Sequence, residues 1–319
     1  MLEYSSIKMA TFILFVLSAL AMPAVAAMDI VATTSVIADP VQAIGGDNVR
    51  VIAVADPTIC PHMQGDIIDS RIQMQKDFIA SADLFFAHNS GMDRPVVMPA
   101  VEKFMQTYND GNVTWTIIGA QDWNTPEKAK VFAGEVKDKL VAADGGNATA
   151  YEANYEAYCD AIDAANLTDE EKMWVGGQDV IVMVWQREAA EDWLGLNAVA
   201  VFGPETYMGG QVTPAKVVDD IAADPQKYRS VRYVIENMQS GEMGKGIEEA
   251  LHDRGIRADR VVFTNFPKSV EGVSSLPDVL AHNKEAVMAS PPTTAPQSPL
   301  SLFPLLTAVS LAVFLLRRT

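Results

Sequence analysis

The chain is poor in the residues that most catalytic sites are built from. Its 319 residues include only two cysteines and four histidines. That is too few for a rich acid-base site, and neither a Gly-x-Ser-x-Gly elbow nor a His-Glu-x-x-His helix occurs. Met208 to Gly210 brings two glycines together but lacks the spacing and the lysine of a phosphate loop, so it reads as a turn. Basic residues are scarce too: 24 Lys and Arg stand against 41 Asp and Glu, a formal net charge of −17. Such a chain has no basic patch to offer a phosphate backbone, which excludes nucleic acid as a partner. A binding function rather than an enzyme is expected.

Long apolar runs are confined to the two ends. Residues 1–27 carry one lysine, Lys8, an apolar run from Met9 to Leu20, and small residues up to Ala27, the pattern of a removable secretory leader. At the other end, 290–299 is a Pro/Thr-rich stalk, and 300–319 contains the uncharged run Leu300 to Leu316 followed by Arg317 and Arg318. At about 1.5 Å per residue that run reaches roughly 25 Å, short of a hydrocarbon core of about 30 Å. It is nevertheless expected to act as a transmembrane helix anchoring an outward-facing body, with the arginines on the cytoplasmic side. Leader, body, stalk, apolar tail and terminal arginines together resemble archaeal surface proteins with a C-terminal anchor segment. The sequons at Asn112, Asn147 and Asn166 are compatible with surface glycosylation.

The body alternates apolar, β-branched runs with amphipathic segments. Val31 to Ser35, a short helix closed by Gly45 and Gly46, and Val49 to Val54 form a strand, a helix and a strand, followed by a loop that carries His62. Further strands are expected at Ala82 to His88 and Val113 to Ile118, the latter followed by a loop with Gln121. Helical spacing fills 126–172, and alternation then resumes with strands at 179–185, 198–202, 231–235 and 260–263 and a last helix at 276–288. The fold class is therefore α/β: an N-terminal lobe over 28–147, a linking backbone helix over 148–171 and a C-terminal lobe over 172–289, each lobe a parallel sheet flanked by helices. Ligands of such sheets sit beyond the carboxyl ends of the strands, where His62 falls. His88 reads as an ordinary strand-end residue, His252 and His282 as surface or packing residues, and Trp185 and Trp193 as core. Cys60 and Cys159 either pair in a disulfide, which an exported chain permits, or leave Cys60 as a soft metal ligand beside His62.

Val31 to Ser35 with Gly46 to Val51, Pro61 with His62, Ser81 to Phe85, Trp123 with Pro126, and Leu280 to Ala286 resemble, in order and spacing, the substrate-binding proteins of zinc and manganese ABC importers. The resemblance implies two lobes on one long helix, a metal between them, a permease as partner, and a monomer. It also implies four metal ligands. The first falls on His62, the second on Gln121, the third near Val184 to Gln186 with Gln186 offering a side-chain donor, and the fourth on Asn265. Zinc prefers nitrogen and sulfur, and carboxamides bring no charge to offset a divalent ion, so affinity at this position is expected to be weakened. Cys60 and Glu236, with Asp66, Glu188 and Glu205 behind them, are the side chains that could repair the shell. The leading ligand is zinc or manganese. The alternatives are a metal chelate or small polar molecule held by Gln121, Gln186 and Asn265, and an adhesion or scaffold module that binds nothing.

Overall fold

The computed structural model describes residues 27–109 and 111–289. The expected leader, stalk and C-terminal anchor lie outside these residues, apart from Ala27. Among the described residues no helix is long and apolar enough to cross a membrane.

The first lobe begins with β1 (Met28–Ala32), α1 (Ser35–Gly45) and β2 (Val49–Ala53). The β-branched residues of β1 are fully buried, as a strand covered on both faces requires. Gly45 closes α1 because a Cβ there would sit 2.3 Å from a Val49 methyl, and Gly46 turns the chain with φ of +57°. Two short helices follow, α2 (Ile68–Met74) and α3 (Lys76–Ser81), separated at Gln75. Then come β3 (Leu84–Ala87), α4 (Val97–Asn109) and β4 (Trp115–Ile117). The four strands are parallel in the order β2-β1-β3-β4.

α5 (Pro126–Ala143), capped by Thr125, and α6 (Ala148–Ala164) run side by side, and α7 (Asp169–Val175) opens the second lobe with a Thr168–Glu171 capping box. Its sheet contains β5 (Asp179–Met183), β6 (Asn197–Phe202), β7 (Val231–Asn237) and β8 (Asp259–Phe263), all parallel in the order β6-β5-β7-β8. α8 (Pro214–Ala223) and α9 (Lys245–His252) cover it. Between β5 and β6 lies a single π-helical turn, Ala189–Trp193. The last helix, α10 (Leu276–Met288), serves both lobes: Leu276, Val279 and Leu280 join the core of α1, α5 and α6, whereas Val287 packs into the second lobe. Both thiols are free, so the disulfide alternative does not apply.

Asp39 is the polar link in this shared core. Its carboxylate accepts hydrogen bonds from the Tyr158 hydroxyl of α6 (2.5 Å) and the Leu276 amide of α10 (2.7 Å), tying three helices together. Burial pushes its pKa up to about 6, against the lowering effect of those two donors. The folded state therefore holds the proton more tightly than the unfolded chain, whose carboxyl titrates near 3.8. The stability this confers is complete below the unfolded value and is lost as pH rises through about 6. Two units correspond to about 3 kcal/mol. The amide of Asp39→Asn can still accept both bonds but cannot ionise. In thermal melts its stability relative to wild type is expected to improve by about that amount between pH 4 and pH 8.

Candidate functional site

The carboxyl ends of the two sheets face each other, and the loops beyond them enclose a cleft of about 470 Å³. From the first lobe it receives Cys60, His62 and the segment 121–124. From the second come Val184, Trp185, Tyr207, Gln239 and Asn265. Three hydrogen bonds cross it: the Trp123 indole N–H donates to the Asn265 carbonyl (2.9 Å), the Asn124 amide to the Trp185 carbonyl (3.1 Å), and the Gln239 amide to the Pro57 carbonyl (3.1 Å). Lys128 adds an ion-pair bridge, binding Asp122 of its own lobe and Glu188 of the other. An open groove of about 800 Å³ adjoins the cleft and shares Gln121, Asp122 and Glu188 with it, but no histidine or cysteine lines it.

His62 stands on a single turn, Pro61–Met63, in the loop after β2. The loop is rigid for reasons that no motif announces. Gln64, almost fully buried, accepts from the Asp56 amide and donates to the Asp56 and Ile59 carbonyls, each at 2.7 Å. Arg71 reaches from α2 to the Val54 carbonyl (2.6 Å) and the Asp56 carboxylate (2.9 Å). On this platform the Cys60 sulfur lies 3.0 Å from Nδ1 of the exposed His62. A protonated thiol donates that bond. In a tetrahedral zinc shell a thiolate sulfur at ~2.3 Å and an imidazole nitrogen at ~2.0 Å lie about 3.5 Å apart, so the pair needs to open by only about half an ångström to admit an ion.

Asn265 enters from beyond β8. The fully buried Asn283 of α10 binds Thr264 on both sides, accepting from its amide and donating to its carbonyl (2.9 Å each). The Thr264 hydroxyl meets Ser269 and accepts from Gln239. Asn265 is thus fixed through its neighbour, and its side-chain oxygen accepts from the Gln186 amide at 2.6 Å. Gln186 itself is fully buried on the turn Val184–Gln186, and its own carbonyl oxygen has no protein partner. That turn ends β5 two residues earlier than expected.

His62, Cys60, Gln121 and Asn265 line the cleft, and Gln186 touches it through Asn265. Gln121 spends its N–H donors on carbonyls of its own lobe, those of Ile118 (3.0 Å), Gly119 (3.2 Å) and His88 (3.3 Å). Glu236 is not brought to the cleft. It is buried, paired with Arg260 (2.5 Å) and accepting from the Gly244 amide, because β7 extends through Asn237 and turns Glu236 to the side covered by α9. Among the described residues no three His, Cys, Asp or Glu side chains cluster closely enough to hold a metal.

His88 is buried against Thr34 (3.1 Å) and stacked on Trp123 and Phe132. Burial pushes its pKa down to about 4, so it is a neutral packing group, as expected of a residue outside the site. Trp185 departs from expectation. It is 38% exposed and forms a wall of the cleft, edge-on to Tyr207 at 6.2 Å. No periodicity marks it, because it lies on the turn after β5 rather than within the strand.

A sequence model of the zinc-uptake complex component A periplasmic family, ZnuA, matches residues 30–288. No curated protein sequence matches. Among solved structures, a metal-free mutant of the periplasmic metal-binding protein of Candidatus Liberibacter asiaticus superposes with a TM-score of 0.61 at 14% identity, covering 82% of this chain and 98% of that one. The manganese-bound form of that protein gives 0.58 at 15% identity with the same coverage. The periplasmic zinc-binding protein TroA of Treponema pallidum gives 0.57 at 13% identity, covering 82% and 97%. At these identities the likeness concerns the fold.

Burial pushes the Cys60 thiol up to about 11, opposed by a hydrogen bond from the His62 amide. Two units above the ordinary value leave about a hundredfold less thiolate at pH 8. Alkylation of Cys60 by iodoacetamide, followed by peptide mass mapping, is expected to run roughly a hundredfold slower than for a free thiol.

Proposed function

Because the chain belongs to the ZnuA family of zinc-uptake components, we propose that it is the extracytoplasmic solute-binding protein of an ABC importer, carrying zinc or manganese in the cleft between its lobes. The zinc and manganese named for the Treponema and Liberibacter proteins support this cargo. The observation that carries it is the Cys60–His62 pair, which lines the cleft together with Asn265 of the other lobe. Once the thiol is deprotonated, the pair supplies one imidazole nitrogen, one thiolate sulfur and one negative charge, the donors zinc favours. Carbonyl oxygens of Asn265 and Gln121 would serve as weaker partners. Deprotonation is required for binding, so affinity falls as pH falls.

In this reading no bond is made or broken in a solute. The lobes, 28–147 and 172–289, close on the cargo about the helix in 148–171 and present it to a membrane permease. The apolar segment in 300–319 tethers the body beyond its stalk. The full chain, purified without chelators, is expected to retain close to one zinc or manganese per molecule by elemental analysis, and His62→Ala to lose it. Wild-type protein that retains no transition metal would overturn the proposal.

A further inference from the structure

The cleft suits a bare ion poorly. Its volume of about 470 Å³ lies in the range of pockets that hold small organic molecules, and an ion held by one thiolate and one imidazole would leave most of it to water. The other expected donors have their amide N–H groups engaged with the protein, those of Gln121 with carbonyls of its own lobe and that of Gln186 with Asn265, and what they can offer a metal is a neutral carbonyl oxygen each. What the cleft offers beyond Cys60 and His62 is a surface for an organic partner. Trp185 presents a partly bare indole backed by Tyr207, and the Asn124 side-chain oxygen is buried without a partner while its amide donates across the cleft. Aromatic faces with a few placed amides are the usual lining of small-molecule sites. The charges set the sign of the guest. Asp122 and Glu188 flank the cleft, Lys128 is held between them, and neither lysine nor arginine lines the cleft, so a polyanionic chelator would find no fixed positive charge to neutralise it.

We propose, resting on the metal-transport reading above, that the cargo enters as a small metal chelate, neutral or cationic, with a flat ring. Its ring stacks on Trp185, its polar atoms meet the amides, and Cys60 and His62 displace water from the open metal positions, Cys60 releasing its proton. The zinc–histidine complex at one histidine per zinc is a suitable probe because it is cationic, keeps water on its remaining metal positions and carries a planar imidazole.

Calorimetric titration of the full-length protein with zinc alone, histidine alone and the premixed complex tests this. The complex is expected to bind at least tenfold more tightly than zinc, and histidine alone much more weakly than either. Trp185→Ala is expected to lose at least tenfold for the complex while leaving zinc alone unchanged. His62→Ala should weaken both. Zinc binding as tightly with or without histidine, or a Trp185→Ala effect equal for ion and complex, would overturn the chelate and leave the metal cargo standing. Histidine alone binding as tightly as the complex would also overturn it. Failure of the metal reading itself looks different: wild-type protein without retained metal and with no affinity for zinc in either form.

Discussion

One hydrogen bond organises the space between the sheets. The Trp123 indole, almost wholly buried, donates across the lobes to the Asn265 carbonyl, with its ring packed among His88, Phe132 and Phe266. A buried indole N–H without an acceptor would be costly, so lobe separation at this point is penalised twice: by the lost bond and by the exposed ring. Several groups that face the cleft stand close to this contact in the chain. Asn124 follows one residue later and reaches the Trp185 carbonyl, Lys128 follows on α5 and reaches Glu188, and Asn265 is the acceptor itself. α10 completes the frame by holding Asp39 of one lobe and Thr264 of the other.

Charge decides what that frame can hold. A divalent ion in a partly dry cleft needs ligand charge close by, and the carboxylates at the rim are already shared with Lys128. In the proposed site the remaining source is the Cys60 thiol, whose proton a bound metal would replace. Its sulfur would then supply the charge that carboxamides at positions 121, 186 and 265 cannot. An organic companion that brings its own donors lowers the number the protein must provide, which connects the sparse shell to the large cleft and its aromatic wall.

The order of strands and helices is legible in the chain because both sheets are parallel: the strands are short apolar runs, most of them β-branched, and they alternate with helical segments. The end of β5 is not legible, since Met183 to Trp185 is as apolar as the strand before it and only the packing of the turn buries Gln186 and bares Trp185. Glu236 shows the reverse case, where a strand runs two residues longer than its apolar core and carries the carboxylate away from the cleft. His62 and Cys60 can be proposed from sequence because they stand in the loop that follows a strand, and Gln121 and Asn265 because the family resemblance places ligands at their positions. The residues that set them in place cannot. Gln64, Arg71 and Asn283 act through backbone carbonyls and amides 5 to 19 positions away, and such contacts have no periodicity to read.

The central claim is that the metal is bound by Cys60 and His62. X-ray absorption at the zinc edge of the loaded protein tests it directly. The account predicts one sulfur near 2.3 Å together with nitrogen or oxygen neighbours near 2.0 Å, and loss of the sulfur shell in Cys60→Ser. A first shell of nitrogen and oxygen alone in the wild-type protein would contradict it.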